Sequence, residues 1–194
     1  MGYIILVLIF LTVLSPLLYM KHSQYYYIKY YGISCHERVN QKYDGKPYKV
    51  HLKMVRKYAG KYVYLLSHLP WEYVELILGS CWTHDTIEDT GETYNNVKEN
   101  CGEVVAEITY AVTNEKGKTR KERANDKYYD GIKKVEYADF IKICDRLANI
   151  EYSKKKGSSM LDKYRKEHAN FKSKLYRSEY DAMFVDMEKM LEIY

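Results

Sequence analysis

The chemistry in this chain concentrates in Cys81-Trp82-Thr83-His84-Asp85-Thr86-Ile87-Glu88-Asp89-Thr90, where a His-Asp pair is followed within one helical turn by a Glu-Asp pair. On a helix, side chains three and four apart share a face, which sets His84 beside Glu88 and Asp85 beside Asp89. An imidazole next to a carboxylate suits a divalent cation that accepts nitrogen and hard oxygen ligands. The second acidic pair is placed to handle an activated water. Taken by itself, the stretch fits a solvated acidic helix end equally well, because acidic residues favour exposed helix positions.

Two further segments enlarge the set. Upstream lies Gly45-Lys46-Pro47-Tyr48-Lys49-Val50-His51, and downstream lies Ile141-Lys142-Ile143-Cys144-Asp145-Arg146-Leu147-Ala148-Asn149-Ile150. In the second segment Asp145 interrupts a largely apolar helical run. A carboxylate on a buried helix costs several kcal/mol unless paired or metal-bound, so ligation is the better account of it. Together the three segments read H…HD…D.

At this point the sequence resembles the HD-domain metal-dependent phosphohydrolases, and more narrowly the alarmone hydrolases of the stringent response. The G-x-P-Y-x-x-H, H-D-x-x-E-D-T, V-T-N-E-K…R-K-E-R and K-x-x-D-R-x-x-N segments all occur, in that order, across about residues 33 to 176. The resemblance implies an all-α HD-domain helical bundle, with His51, His84, Asp85 and Asp145 holding one divalent metal, a six-coordinate ion such as Mn2+. It implies that Glu88 and Asp89 orient the attacking water and shuttle its proton, while Lys42, Arg120, Asn149 and Arg165 hold a phosphorylated nucleotide. The bond cleaved would be that of the 3′-diphosphate of guanosine tetra- or pentaphosphate, releasing pyrophosphate. Two alternatives are carried: an HD nucleotide phosphatase acting on a deoxynucleotide or a phosphorylated dinucleotide, and a non-catalytic nucleotide-binding module.

The elements that must position these groups read as helices throughout, with no strand-period alternation of useful length. Tyr43 to Pro47 is a turn by its Gly and Pro content, leading into a helix with His51. Trp71 to Trp82 is mostly apolar all round, as in a helix at the centre of an α domain, and it delivers His84 and Asp85 at its carboxyl end. Further helices are expected over Val97 to Cys101, Glu103 to Val112 and Val135 to Ile150, with one or two closing helices over Met160 to Tyr194. Asn114 to Arg123 reads as a charged loop, as does Lys154 to Ser159. His36 has helical surroundings and stays outside the metal set.

At 194 residues the chain accommodates one domain with a sizeable core. A net charge of +5, spread among interleaved acids, suits solubility and an anionic ligand; a nucleic-acid partner is not expected. The four cysteines are scattered without a C-x-x-C pair and read as buried core residues of a reducing compartment. Residues 1–20 form a hydrophobic segment, with residues 3–20 long enough to cross a bilayer core. Lys21, His22 and Lys29 follow it, which would leave the catalytic domain cytoplasmic, anchored to the inner face of a membrane. A packing helix, or a start of the protein at Met20, competes with that reading. Residues 21–32 are expected to be a linker and 33–194 the catalytic domain.

Overall fold

The structure, a computed structural model, describes residues 15–193, and it is all-α. In chain order, α1 (Ser15–Arg38) precedes a two-stranded hairpin of β1 (Lys42–Tyr43) and β2 (Lys46–Pro47). Then come α2 (Lys49–Lys61), α3 (Trp71–Thr83), α4 (Thr86–Asp89), α5 (Tyr94–Cys101) and α6 (Glu103–Val112). The chain closes with α7 (Arg120–Arg123), α8 (Asp126–Lys134), α9 (Ala138–Lys156), α10 (Met160–Leu175) and α11 (Asp181–Leu191). Most of the hydrophobic segment 1–20 lies outside the described residues. Among those described, no helix is long and apolar enough to cross a membrane.

Two helices organise the bundle. In α3 the residues from Ile77 to Thr83 are all buried, and only its first turn, with Trp71 and Glu72, faces solvent. In α9, Phe140, Ile141, Ile143, Leu147 and Ile150 are fully buried and pack with Phe171 of α10 and Phe184 of α11. Helix α2 lies against both α3 and α9. His51 on α2, His84 at the end of α3 and Asp145 in α9 therefore start from three mutually packed helices. The four cysteines are free and buried, as their scatter suggested.

The structure departs from the sequence reading in three places. Residues 24–32, read as part of a linker, run within α1, with Ile28 fully buried in a cluster with Val97, Cys101, Val105 and Ala106. The tyrosines on either side of Ile28 hide it, because their polar hydroxyls blur the apolar stripe. Helix α9 starts after Val135, at Ala138, and runs on to Lys156, into the first half of the expected loop; its last-turn lysines favour the carboxyl end of the helix dipole. The segment after Asn114 contains α7, whose first turn Thr119 and Glu122 close by reciprocal capping.

Two glycines matter to the site. At the hairpin, Asp44 and Gly45 both take positive φ (51° and 75°), the combination a two-residue turn needs to match strand twist. Gly32 lies where α1 crosses α3, and a Cβ there would sit 2.0 Å from the Trp82 carbonyl oxygen, two residues before His84. Gly32→Ala must push the two helices apart, and the expected loss is about 1–3 kcal/mol of stability by urea denaturation. An unchanged midpoint would show that the crossing is not tight.

Candidate metal centre

His51 lies in the first turn of α2, just after Tyr48, whose carbonyl accepts from the His51 amide at 2.9 Å. His84 follows the last turn of α3, and its Nδ1 meets the Cys81 carbonyl at 3.1 Å. That contact fixes the ring and turns Nε2 toward His51. The two Nε2 atoms are 3.2 Å apart, and both rings are buried. Asp85 Oδ2 lies 2.9 Å from His84 Nε2 and 3.4 Å from His51 Nε2. Asp145 Oδ1 lies 3.3 Å from His51 Nε2 and 3.8 Å from His84 Nε2. Ligand atoms of His51, His84 and Asp145 all fall within 4.8 Å of one another, a group that could hold a metal ion. Asp85 completes two nitrogens and two hard oxygens, a donor set suited to a first-row divalent cation and open to further ligands.

The His84–Asp89 stretch is not one continuous helix. The chain breaks between α3 and α4, with Asp85 at φ −103°, and this break brings the Asp85 carboxylate back onto His84. Glu88 is exposed and held by Asn114, whose side-chain amide donates to it at 2.8 Å. Asp89 is half-buried and accepts from Gln41 at 3.2 Å.

Partners that sequence reasoning left unassigned surround the four donors. Tyr48 donates its hydroxyl to Asp85 Oδ2 at 2.5 Å, and His36 stacks on the Tyr48 ring at 4.2 Å. Burial pushes His36 down to about 4, and it carries no hydrogen bond at either ring nitrogen. Lys142 pairs with Asp145 Oδ2 at 3.1 Å. Tyr43 of the hairpin stacks on His51 at 4.8 Å and donates to Asn149 at 2.9 Å. Asn149 in turn donates to Asp145 Oδ1 at 2.5 Å, so here its amide orients a carboxylate. Tyr48 and Lys142 were legible only as spacings, three residues before His51 and three before Asp145.

Of these groups, Tyr48, His51, Asp85, Lys142, Asp145 and Asn149 line a cavity of about 770 Å³ that also includes Glu88, Asp89, Arg120, Arg146 and Tyr164, while His84 sits behind its wall. Arg120 forks onto Glu167 at 2.9 and 3.1 Å, and Arg146 reaches the same carboxylate at 2.8 Å. The structure does not bring Lys42 or Arg165 to this cavity. Lys42 is exposed on the hairpin, and Arg165 is bound to Asp162, Glu192 and the Leu191 carbonyl. Compared with models of known families and with curated proteins, the sequence finds no match.

Charge explains the arrangement. Burial opposes a charged His51, but hydrogen bonds to Asp145 and Asp85 outweigh it and push its pKa up to about 9. Burial alone would raise Asp85, yet the neighbouring His84 charge and hydrogen bonds to His51 and His84 hold its carboxyl well below the usual range. Burial likewise opposes a charged Asp145, and the Lys142 charge and His51 hydrogen bond keep it ionised. A proton on His51 thus does what a cation between the donors would do. In chelator-treated protein, the stability from this proton is fully present below about pH 6.5 and is lost as pH rises through about 9. Metal binding at pH 7.5 should release about one proton per chain, seen as buffer-dependent heats in titration calorimetry. Heats independent of the buffer would mean that His51 is neutral and unpaired with the acids.

Proposed function

We propose that the chain is a metal-dependent phosphohydrolase of HD type acting on a phosphorylated nucleotide. Its reaction is read as the 3′-pyrophosphohydrolysis of guanosine 3′,5′-bis(diphosphate). The observation that carries the reading is the meeting of two imidazoles and two carboxylates at a cavity also lined by Arg120 and Arg146. Cations on the wall and hard donors at the floor suit a polyanion whose phosphoryl group must reach a metal. The substrate class rests on the motif resemblance.

His51, His84, Asp85 and Asp145 would hold the cation, which supplies Lewis-acid activation of a water and of a phosphoryl oxygen. The chain's own groups manage binding and protons. Burial, and the charges of Asp85 and Glu88, push Asp89 up to about 6, which poises it to take and return a proton near neutral pH. Glu88, fixed by Asn114, supplies a second acceptor in the same cavity. In hydrolysis the water oxygen bonds to the phosphorus attached to the 3′ oxygen, that P–O bond breaks, pyrophosphate leaves, and a proton passes to the 3′ oxygen. Arg120 offers guanidinium donors to phosphate oxygens, in exchange with Glu167.

Glu88→Gln with Asp89→Asn removes the proton acceptors while leaving the four metal donors in place. The expected result is a turnover number lower by about two to four orders of magnitude, with metal content unchanged. Full turnover in this variant would take both residues out of the mechanism. If the unaltered protein spares guanosine tetraphosphate but frees orthophosphate from another nucleotide, the metal chemistry stands and the substrate assignment falls.

A further inference from the structure

Lys142 has no part in the mechanism above, yet its placement is unusual for a lysine. It sits in α9 one turn before Asp145, its side chain is only 13 % exposed, and it lines the cavity. One N–H of its ammonium meets Asp145 Oδ2 at 3.1 Å. The ammonium also lies 5.8 Å from the centre of the Tyr128 ring, whose hydroxyl is spent on the Val112 carbonyl at 2.8 Å. Lysine has three N–H donors, so the pair with Asp145 leaves donors to spare.

The surroundings limit what those donors can meet. Arg120 and Arg146 are engaged by Glu167, and Asp145 Oδ1 faces His51 and Asn149. Among the described residues Lys142 is the lysine paired with a member of the metal-ligand set. Asp145 and Lys142 both line the cavity, so the pair presents an ammonium as well as a carboxylate to whatever fills it.

We propose that Lys142 is a phosphoryl-binding residue, which donates an N–H left free by Asp145 to an oxygen of a phosphate group seated against the His51–His84–Asp85–Asp145 centre. This deepens the phosphohydrolase reading and rests on it for the identity of the ligand. Because Asp145 already fixes the ammonium, little reorganisation accompanies binding, and its charge meets the negative charge that builds on the phosphoryl oxygens during attack.

The test uses the full chain loaded with Mn2+ and inorganic phosphate as the probe, followed by titration calorimetry. K142M should keep about one metal per chain and bind phosphate roughly ten- to a hundred-fold more weakly, the worth of one charge-assisted hydrogen bond. K142R, which restores a cation, should recover part of the loss. Should K142M fail to fold, K142Q takes its place in the comparison. Phosphate affinity within twofold of the unaltered protein overturns the proposal. So does loss of the metal from both K142M and K142Q, because Lys142 would then act on Asp145 and not on the ligand. The two readings fail separately. A protein that binds phosphate through Lys142 but hydrolyses no nucleotide defeats the hydrolase reading alone, and one that hydrolyses nucleotide with K142M still binding phosphate normally defeats this proposal alone.

Discussion

Asp85 and Asp145 bring two negative charges against the same pair of buried imidazoles, at a junction of three packed helices. Removing a carboxylate from water costs several kcal/mol even after relaxation, and two side by side also repel each other. The fold must therefore keep positive charge between them. His51 supplies it as a proton shared with both acids, and Lys142 supplies it from the far side of Asp145. A divalent cation would replace the shared proton with a larger charge at the same focus, which is why this cluster is better read as a binding site than as a packing accident.

Much of the surrounding structure serves that focus. Gly32 lets α1 close on the backbone beside His84, and the hairpin lays Tyr43 on the His51 ring. Stacking by His36 steadies Tyr48, which holds Asp85 through its hydroxyl. The chain break after α3 converts sequence neighbours into groups with different tasks: Asp85 turns inward to the imidazoles, while Glu88 turns out to Asn114. Around the cavity, Arg120 and Arg146 share Glu167, so the wall carries its own counter-ion.

The all-α architecture was legible because apolar periodicity marks helices directly, and α3 stood out as apolar nearly all round. His84 and Asp85 stood out by residue type and spacing and Asp145 by its place in an apolar run, whereas joining them with His51 in one set rested on the motif resemblance. Tyr48 and Lys142 were not legible, since a tyrosine or lysine near a motif is common and only tertiary packing shows whether it faces the cluster or solvent. Arg165 illustrates the converse. Its match to a phosphate-binding place is a matter of sequence order, whereas the structure gives its guanidinium to Glu192 and the Leu191 carbonyl. Residues 24–32 were misread because a helix rich in tyrosine carries little amphipathic contrast, although Ile28 is fully buried.

The central claim is that these four side chains close on one divalent cation, and anomalous scattering from Mn2+ in crystals of the protein tests it most directly. A single strong peak is expected, bounded by His51 Nε2, His84 Nε2, Asp85 Oδ2 and Asp145 Oδ1, at about 2.0–2.3 Å from each. Peaks confined to exposed carboxylates such as Glu37 or Asp162, with none among these four donors, would contradict it.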